Sequence, residues 1–227
     1  MFAACDRACA EYACGRESSF SLKPTNLTFE RAAAVPTSAL AALHGLRDAG
    51  KVQPGQRVLI NGASGGVGTF AVQIAKILGA DVTGVCSTRN VEMVRSLGAD
   101  HVIEYTREDF ARSGKSYDLI LDNVANRSFS ECRRALTPSG IHIPNSGRAG
   151  MGYVVKALVR SAFLRQQGRP FLSIPTREDM VLLRGFVESG KVKPVIDRTY
   201  GLSETPEALG YVGEGHVRGK VVIRVLE

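Results

Sequence analysis

Tryptophan is absent from this 227-residue chain, and its five cysteines are few and unevenly spaced, at positions 5, 9, 14, 86 and 132. Such a set excludes a disulfide-stapled fold and favours a reducing compartment, predicted here to be the cytoplasm. The longest uncharged run, residues 58–75, contains four glycines together with Asn61, Ser64 and Gln73. It is therefore not a membrane span. Residues 1–7 also lack the basic-then-apolar order of a signal peptide.

Basic residues are in excess, with a net charge of +7, but they do not cluster. No run of five basic residues occurs, and aromatic side chains are not interleaved with arginines as a nucleic-acid stacking surface requires. With 44% hydrophobic and 22% charged residues, the composition is that of a globular protein. We therefore expect no main role in nucleic-acid or membrane binding.

From residue 57 the pattern alternates between strands and helices. Strands are predicted at residues 57–61, 81–85, 101–103, 117–121 and 140–143, and helices at residues 69–78, 91–97 and 130–136. This alternation is typical of βαβ units, and so of a doubly wound parallel sheet with helices on both faces. After Thr176 the pattern predicts an amphipathic helix, a strand at residues 195–200, a helix at residues 203–211 and a strand at residues 219–225.

The chemistry of the chain centres on a glycine-rich turn after the first of these strands. In residues 61–68, Ala63, Gly65 and Gly68 occupy the three small positions of the dinucleotide fingerprint G-x-G-x-x-G. Gly65 would let the backbone approach a pyrophosphate, and Gly68 would allow close contact between helix and sheet. A helix beginning at Gly68 would direct its free N–H groups towards the phosphates. A tight turn without a ligand is the simpler alternative.

The end of the second strand bears on the identity of the dinucleotide. A site that prefers NAD needs a carboxylate about 20 residues beyond the glycines, to bind the ribose hydroxyls. Residues 86–89 read Cys-Ser-Thr-Arg, and Glu92 is the first acid that follows. Ser87 and Arg89 suit a 2′-phosphate, which favours NADPH over NADH, although Arg89 could equally be a solvated residue at a helix start. The same lack of an acid argues against an S-adenosylmethionine methyltransferase.

Taken together, these segments resemble the medium-chain dehydrogenase/reductase superfamily. The resemblance is carried by residues 61–69 (Asn-Gly-Ala-Ser-Gly-Gly-Val-Gly-Thr) and 72–76 (Val-Gln-Ile-Ala-Lys), and it continues through residues 32–36, 50–60, 97–105, 117–124, 190–197 and 215–222. The branch most like this chain is that of the zinc-independent quinone oxidoreductases and NADPH-dependent alcohol dehydrogenase-like proteins.

The resemblance implies a division of the chain and a set of site residues. Residues 1–35 would be the end of a GroES-like β-rich catalytic domain, residues 36–175 a Rossmann domain that binds NADPH, and residues 176–227 a return to the catalytic domain. The fold class is then α/β with remnants of a β-rich unit. The cofactor-binding residues would be Ser64, Gly65, Gly66, Val67, Gly68, Ser87, Arg89, Tyr105 and Asn123. For Arg89, Tyr105 and Asn123, ordinary surface or turn roles remain alternatives.

The chain also departs from the family pattern. The family often has Thr where Ala41 stands and usually has Gly where Ala125 stands. Roughly the first quarter to third of the family chain has no counterpart here. No four-cysteine cluster or His-Glu pair predicts zinc, and no Ser-His-Asp set can be identified from the sequence.

Two functional hypotheses follow. The first is an NADPH-dependent oxidoreductase that transfers hydride to a quinone, enone or carbonyl substrate, without zinc and without an assignable catalytic residue. The alternative is a truncated, non-catalytic NADPH-binding module or a gene fragment. The substrate identity and the oligomeric state, including a homodimer, remain open.

Overall fold

The computed structural model describes residues 1–4, 8–145 and 167–225, and its centre is a six-stranded parallel sheet. The strands of the described chain are β1 Phe2–Ala3, β2 Phe20–Ser21, β3 Arg57–Asn61, β4 Asp81–Cys86, β5 His101–Glu104, β6 Tyr117–Asp122, β7 Leu136–Pro144, β8 Gln167–Gly168, β9 Ile196–Gly201 and β10 Lys220–Arg224. The α-helices are α1 Phe29–Ala33, α2 Pro36–Leu43, α3 Gly66–Ile77, α4 Val91–Ser96, α5 Phe129–Arg134, α6 Arg177–Glu188 and α7 Thr205–Gly213. A π-helical turn, His44–Ala49, continues α2, and 3₁₀ turns lie at Glu17–Ser19, Thr88–Asn90 and Leu202–Glu204.

The order of strands in the sheet is β5-β4-β3-β6-β7-β8, and every pairing is parallel. The chain therefore runs outward in one direction from β3 and then in the other from β6. This is the order of the Rossmann fold, in which a ligand crevice opens where the direction reverses. The predicted doubly wound α/β fold is confirmed.

Alternate residues of β3 enter two different cores. Val58 and Ile60 join a cluster that includes residues of α2, α3 and α6, whereas Leu59 joins a cluster on the opposite face with Phe110 and Cys132. All three β3 side chains have no solvent exposure. Burial on both faces explains why this strand is continuously apolar rather than alternating.

Several predicted boundaries were wrong by a few residues. Helix α3 begins at Gly66 rather than Gly68, because Gly65 is extended and takes the N-cap position. Strand β7 begins at Leu136 rather than at residue 140, and its pairing with β6 shifts register between Tyr117 and Leu119. The predicted helix at residues 203–211 is a 3₁₀ turn followed by α7.

The elements at the two ends of the chain stay outside the central sheet. Strands β1 and β2 pair antiparallel with each other, and β9 pairs in parallel with β10. The return segment nevertheless touches the glycine turn, because Gly219 N donates to the carbonyl of Ser64 at 2.9 Å. In the described ranges no helix is both long and apolar enough to span a bilayer.

Candidate functional site

The glycine-rich turn joins β3 to α3 through two glycine positions that no other residue could fill without strain. Gly62 has a φ of +76°, in the left-handed region. At Gly68 a side chain would overlap the carbonyl oxygen of Gly62 and the backbone of Ala63. The predicted close approach of helix and strand at Gly68 therefore has a direct steric basis.

The N-terminus of α3 presents unpaired backbone donors. Its N-cap, Gly65, has no side chain to satisfy them, and the first intrahelical bond recorded at this end is Thr69 N to Gly65 O, at 3.0 Å. The N–H groups of Gly66, Val67 and Gly68 consequently have no backbone acceptor within the described chain. Because these groups carry the positive end of the helix dipole, their chemistry suits an anionic group such as a phosphate.

A cleft of about 980 Å³ opens beside this turn, at the carboxyl ends of the parallel strands. The structure brings all nine predicted cofactor-binding residues to its wall: Ser64, Gly65, Gly66, Val67, Gly68, Ser87, Arg89, Tyr105 and Asn123. These residues come from four separate segments that follow β3, β4, β5 and β6. The cleft lies where the order of strands reverses, between β3 and β6.

Sequence reasoning missed part of this wall. Ser38 of α2 and the amide side chains of Asn61, Asn126 and Asn145 line the cleft, as does the whole segment 212–217 at the end of α7. The segment 215–222 carried a family resemblance, but nothing local indicated that it folds back over the glycine turn. Only its contacts show this position.

The corner of the cleft around Arg89 contains both charge signs. The Arg89 guanidinium donates to the carbonyl of His216 at 2.8 Å. This hydrogen bond joins the 3₁₀ turn before α4 to the segment 212–217. Next to it, the Thr88 hydroxyl donates to the Glu104 carboxylate at 2.6 Å, and Arg107 lies 3.3 Å from the same carboxylate. The Glu104 carboxylate therefore lies beside the turn that carries Arg89, although residues 86–89 themselves contain no acid. Glu104 reaches this place because β5 pairs with β4, with Glu104 opposite Cys86.

The floor of the cleft is built on Asp122, a carboxylate without solvent exposure at the end of β6. Its Oδ1 accepts hydrogen bonds from Asn61 Nδ2 (2.8 Å), Val124 N (3.1 Å) and Ala125 N (2.9 Å). Burial alone would raise the pKa of Asp122, but the adjacent His142 and the hydrogen bonds from Ala125 and Asn61 outweigh it and hold the pKa below its usual value. Asp122 thereby fixes the turn that follows β6 in one shape.

Two asparagines complete the floor beside this turn. Asn123 donates from its side chain to the carbonyl of Asn61 at 3.1 Å and accepts from Asn145 Nδ2 at 2.8 Å. Ala125, which stands where the family usually has Gly, has a φ of +54°. The departure noted in the sequence therefore lies at a position where the backbone conformation favours glycine.

A half-buried lysine, Lys220, lies behind the glycine turn. Lys220 Nζ donates to the Ser38 hydroxyl at 2.8 Å, and its aliphatic chain lies beside Gly66. Burial lowers the pKa of this ammonium group. Sequence reasoning assigned Lys220 no role.

Among residues 1–4, 8–145 and 167–225, no set of side chains fits a four-ligand zinc site. Within the described chain, one group of potential ligands comes together, Asp122, Cys132 and His142, and all three are buried. Asp122 is already bound by three donors, and burial raises the pKa of the Cys132 thiol to about 12, so this sulfur is protonated. Cys9 and Cys14 are exposed, and Cys5 lies outside the described residues.

Comparisons with known proteins agree with this architecture. Residues 97–223 match the family model of zinc-binding dehydrogenases. The chain is 38% identical to the mouse protein named NAD(P)H oxidoreductase RTN4IP1, mitochondrial, over 91% of its own length and 58% of the relative's. It is 36% identical to the Arabidopsis thaliana chloroplast envelope quinone oxidoreductase homolog, over 94% of its own length and 68% of the relative's.

A solved structure is similar over the same extent. The quinone oxidoreductase from Coxiella burnetii superposes with a TM-score of 0.83 at 30% identity, covering 95% of this chain and 67% of that one. The chain thus spans only about three fifths to two thirds of the length of the proteins it resembles.

Proposed function

The chain belongs to the zinc-binding dehydrogenase family, within the medium-chain dehydrogenase/reductase superfamily, and on this basis we propose that it is an NADPH-dependent oxidoreductase. The substrate would be a quinone, enone or carbonyl compound that accepts a hydride. The main support for the proposal is the cleft at the N-terminus of α3. Four segments that follow parallel strands bring all nine predicted cofactor-binding residues to its wall.

Each part of the cleft has a role in this proposal. The N–H groups of Gly66, Val67 and Gly68 bind the pyrophosphate, and the half-buried Lys220 lies nearby. Ser87 and Arg89 hold the 2′-phosphate, since a guanidinium can donate to two phosphate oxygens at once. Tyr105 lies against the adenosine, and Asn123 holds the ribose at the nicotinamide end.

The bound nicotinamide supplies the hydride, and the protein orients it and excludes water. Asn123 and Asn145 are held by their mutual hydrogen bond before the cofactor arrives, so the floor of the cleft needs little reorganisation. The proposed mechanism includes no catalytic acid from this chain. It also includes no zinc-dependent step, because the described residues do not provide a zinc site.

We also propose the division of the chain suggested by its sequence. Residues 36–175 would bind the cofactor, and residues 1–35 and 176–227 would belong to a β-rich catalytic unit. The separate pairs β1–β2 and β9–β10 favour this division. The cytoplasmic location stays a prediction, because relatives are named mitochondrial and chloroplast proteins. A homodimer also stays open.

A non-catalytic NADPH-binding module is the second candidate. In this candidate the same cleft binds the dinucleotide, and no substrate is turned over. Oxidation of NADPH in the presence of quinones and enals separates the candidates. Tight cofactor binding without turnover on any acceptor would favour the binding module.

The assignment of the 2′-phosphate is tested by titrating NADPH and NADH into wild-type protein and Arg89→Ala. Because a charge-assisted bidentate contact is lost, we expect the variant to bind NADPH about 10–100-fold more weakly and NADH nearly unchanged. Arg95→Ala is the matched control, since Arg95 is 59% exposed and pairs with Glu92 outside the cleft. Equal losses for both cofactors would contradict the assignment.

A further inference from the structure

A row of hydrogen bonds joins Ser173, His44 and Asp179 outside the cofactor cleft. His44 Nδ1 lies 2.8 Å from Ser173 Oγ, and His44 Nε2 lies 3.0 Å from Asp179 Oδ2. The three residues come from the π-helical turn after α2, the segment after β8 and the first turn of α6. None of them lines the cleft described above. The arrangement was invisible in the sequence because Ser173 and Asp179 lie 129 and 135 residues from His44.

Asp179 is held as an ionised carboxylate. Its Oδ1 lies 2.7 Å from Arg47 Nη1, and its Oδ2 accepts from the Thr176 hydroxyl at 2.7 Å. Burial would raise the pKa of Asp179, but hydrogen bonds from Thr176, His44 and Arg47 outweigh it and lower the pKa below its usual value. The position in the first turn of α6 also favours a negative charge.

An ionised Asp179 determines the tautomer of His44. A carboxylate can only accept hydrogen bonds, so the proton of a neutral imidazole lies on Nε2 and points at Asp179. The lone pair is then on Nδ1, where it accepts the hydroxyl proton of Ser173. This is the order of nucleophile, base and orienting acid found in enzymes that transfer acyl groups through serine, with the roles of the two imidazole nitrogens exchanged.

The hydroxyl is within reach of a small ligand. The side chains of His44 and Asp179 are only 8% and 9% exposed, whereas Ser173 is half-buried. Leu172 and Ile174, on either side, are 81% and 62% exposed and offer an apolar surface. The backbone hydrogen bonds of the described residues include none from the N–H groups of Ser173 and Ile174.

We propose that Ser173 is a nucleophile, activated by His44 and Asp179, that takes the acyl group from esters of short apolar carboxylic acids. Ser173 Oγ bonds to the ester carbonyl carbon while its proton passes to His44 Nδ1. The bond from that carbon to the alcohol oxygen then breaks, and His44 returns the proton to the departing alcohol. Water, deprotonated by His44, then attacks the acyl carbon, the bond from that carbon to Ser173 Oγ breaks, and His44 returns the proton to Ser173. The sum is ester plus water to acid plus alcohol, with no change in oxidation state.

Hydrolysis of p-nitrophenyl butyrate by the full chain, without nicotinamide cofactor, tests the proposal. Ser173→Ala should lower the rate to that of buffer. His44→Gln should lower it by about 100-fold or more, because a positioned general base contributes about 10²–10⁴-fold. Ser189→Ala is the control, since this exposed serine bonds only to the carbonyl of Phe186. Hydrolysis that survives Ser173→Ala would overturn the proposal.

Two labelling experiments keep the test decisive if a variant folds poorly. A fluorophosphonate probe on the unmodified protein should place its adduct on Ser173, as read by peptide mass mapping. In Ser173→Cys, the new thiol should react with iodoacetamide at least about 10-fold faster than the exposed Cys9 and Cys14, because an adjacent imidazole promotes the thiolate. An adduct elsewhere, no adduct, or a thiol no faster than Cys9 and Cys14 would overturn the proposal.

Discussion

Two Asp–His pairs in this protein use the same residue types in different surroundings. Asp122 and His142 have no solvent exposure, and Asp122 Oδ2 lies 3.5 Å from His142 Nε2. Asp179 and His44 are closer, at 3.0 Å, and the free side of the imidazole meets the half-buried Ser173. The first pair therefore supports the turn under the cofactor cleft, whereas the second directs a lone pair at a hydroxyl. The two pairs thus differ in their burial and in their partners, not in residue type.

The largest loss of stability should come from removing the carboxylate of the fully buried Asp122–His142 pair. Asp122→Ala leaves Asn61, Val124 and Ala125 without their acceptor and removes the carboxylate that lies 3.5 Å from the buried His142, so we expect a loss of about 3–5 kcal/mol of unfolding free energy in urea. Asp81→Ala is the matched control, because Asp81 also lies 3.5 Å from a histidine, His101, but both are about half exposed. It should cost about 0–1 kcal/mol. Similar losses of stability in the two variants would contradict the view that burial makes Asp122 more important to stability than Asp81.

Replacing the carboxylate of the Asp179–His44 pair should cause a smaller loss of stability, and this loss should depend on pH. Asp179→Asn replaces charge-assisted hydrogen bonds from Thr176, His44 and Arg47 and should cost about 1.5–3 kcal/mol near pH 7. Because the folded-state pKa of Asp179 is lowered, its contribution is complete above the unfolded value of about 3.9 and is lost as the pH falls through the folded pKa.

Urea unfolding measured from pH 6 down to pH 2 checks this sign. The gap in stability between wild-type protein and Asp179→Asn should narrow below about pH 4. Asp48→Asn, at a half-exposed carboxylate on the same π-helical turn, is the control and should change the curve little. A gap that stays constant to pH 2 would contradict the ionised state of Asp179.

The smallest change in stability is expected at Ala125, whose backbone N–H donates to Asp122. Ala125 has a φ of +54°, which costs an L-residue about 1–2 kcal/mol, while glycine loses about 0.5–1 kcal/mol more entropy on folding. Ala125→Gly should therefore stabilise the protein by about 0.5 kcal/mol. In contrast, Ala33→Gly, at an exposed helical position in α1, should destabilise it by about 0.5–1 kcal/mol. Thermal unfolding of the two variants should shift in opposite directions.

Much of the cleft could be predicted because its residues follow local patterns. Apolar runs ending in Asn61 and Asp122 marked strands, and the glycine spacing marked the turn at which a helix would begin. The start of α3 was misplaced by two residues because Gly65 and Gly66 are poor helix formers, yet the turn from β3 places Gly66 in the helix. The segment 212–217 and Glu104 could not be assigned, because their positions depend on strand pairing and on the return of the chain.

The sequence by itself determined the alternation of strands and helices, the close approach of helix and strand at Gly68, and the family to which the chain belongs. These features depend on neighbours a few residues apart. The tertiary structure alone decided that Lys220 lies beside Gly66, that Arg89 bonds to His216 and that Ser173, His44 and Asp179 form one row. Each of these contacts joins residues more than a hundred positions apart, and such a contact has no periodic signal in the sequence.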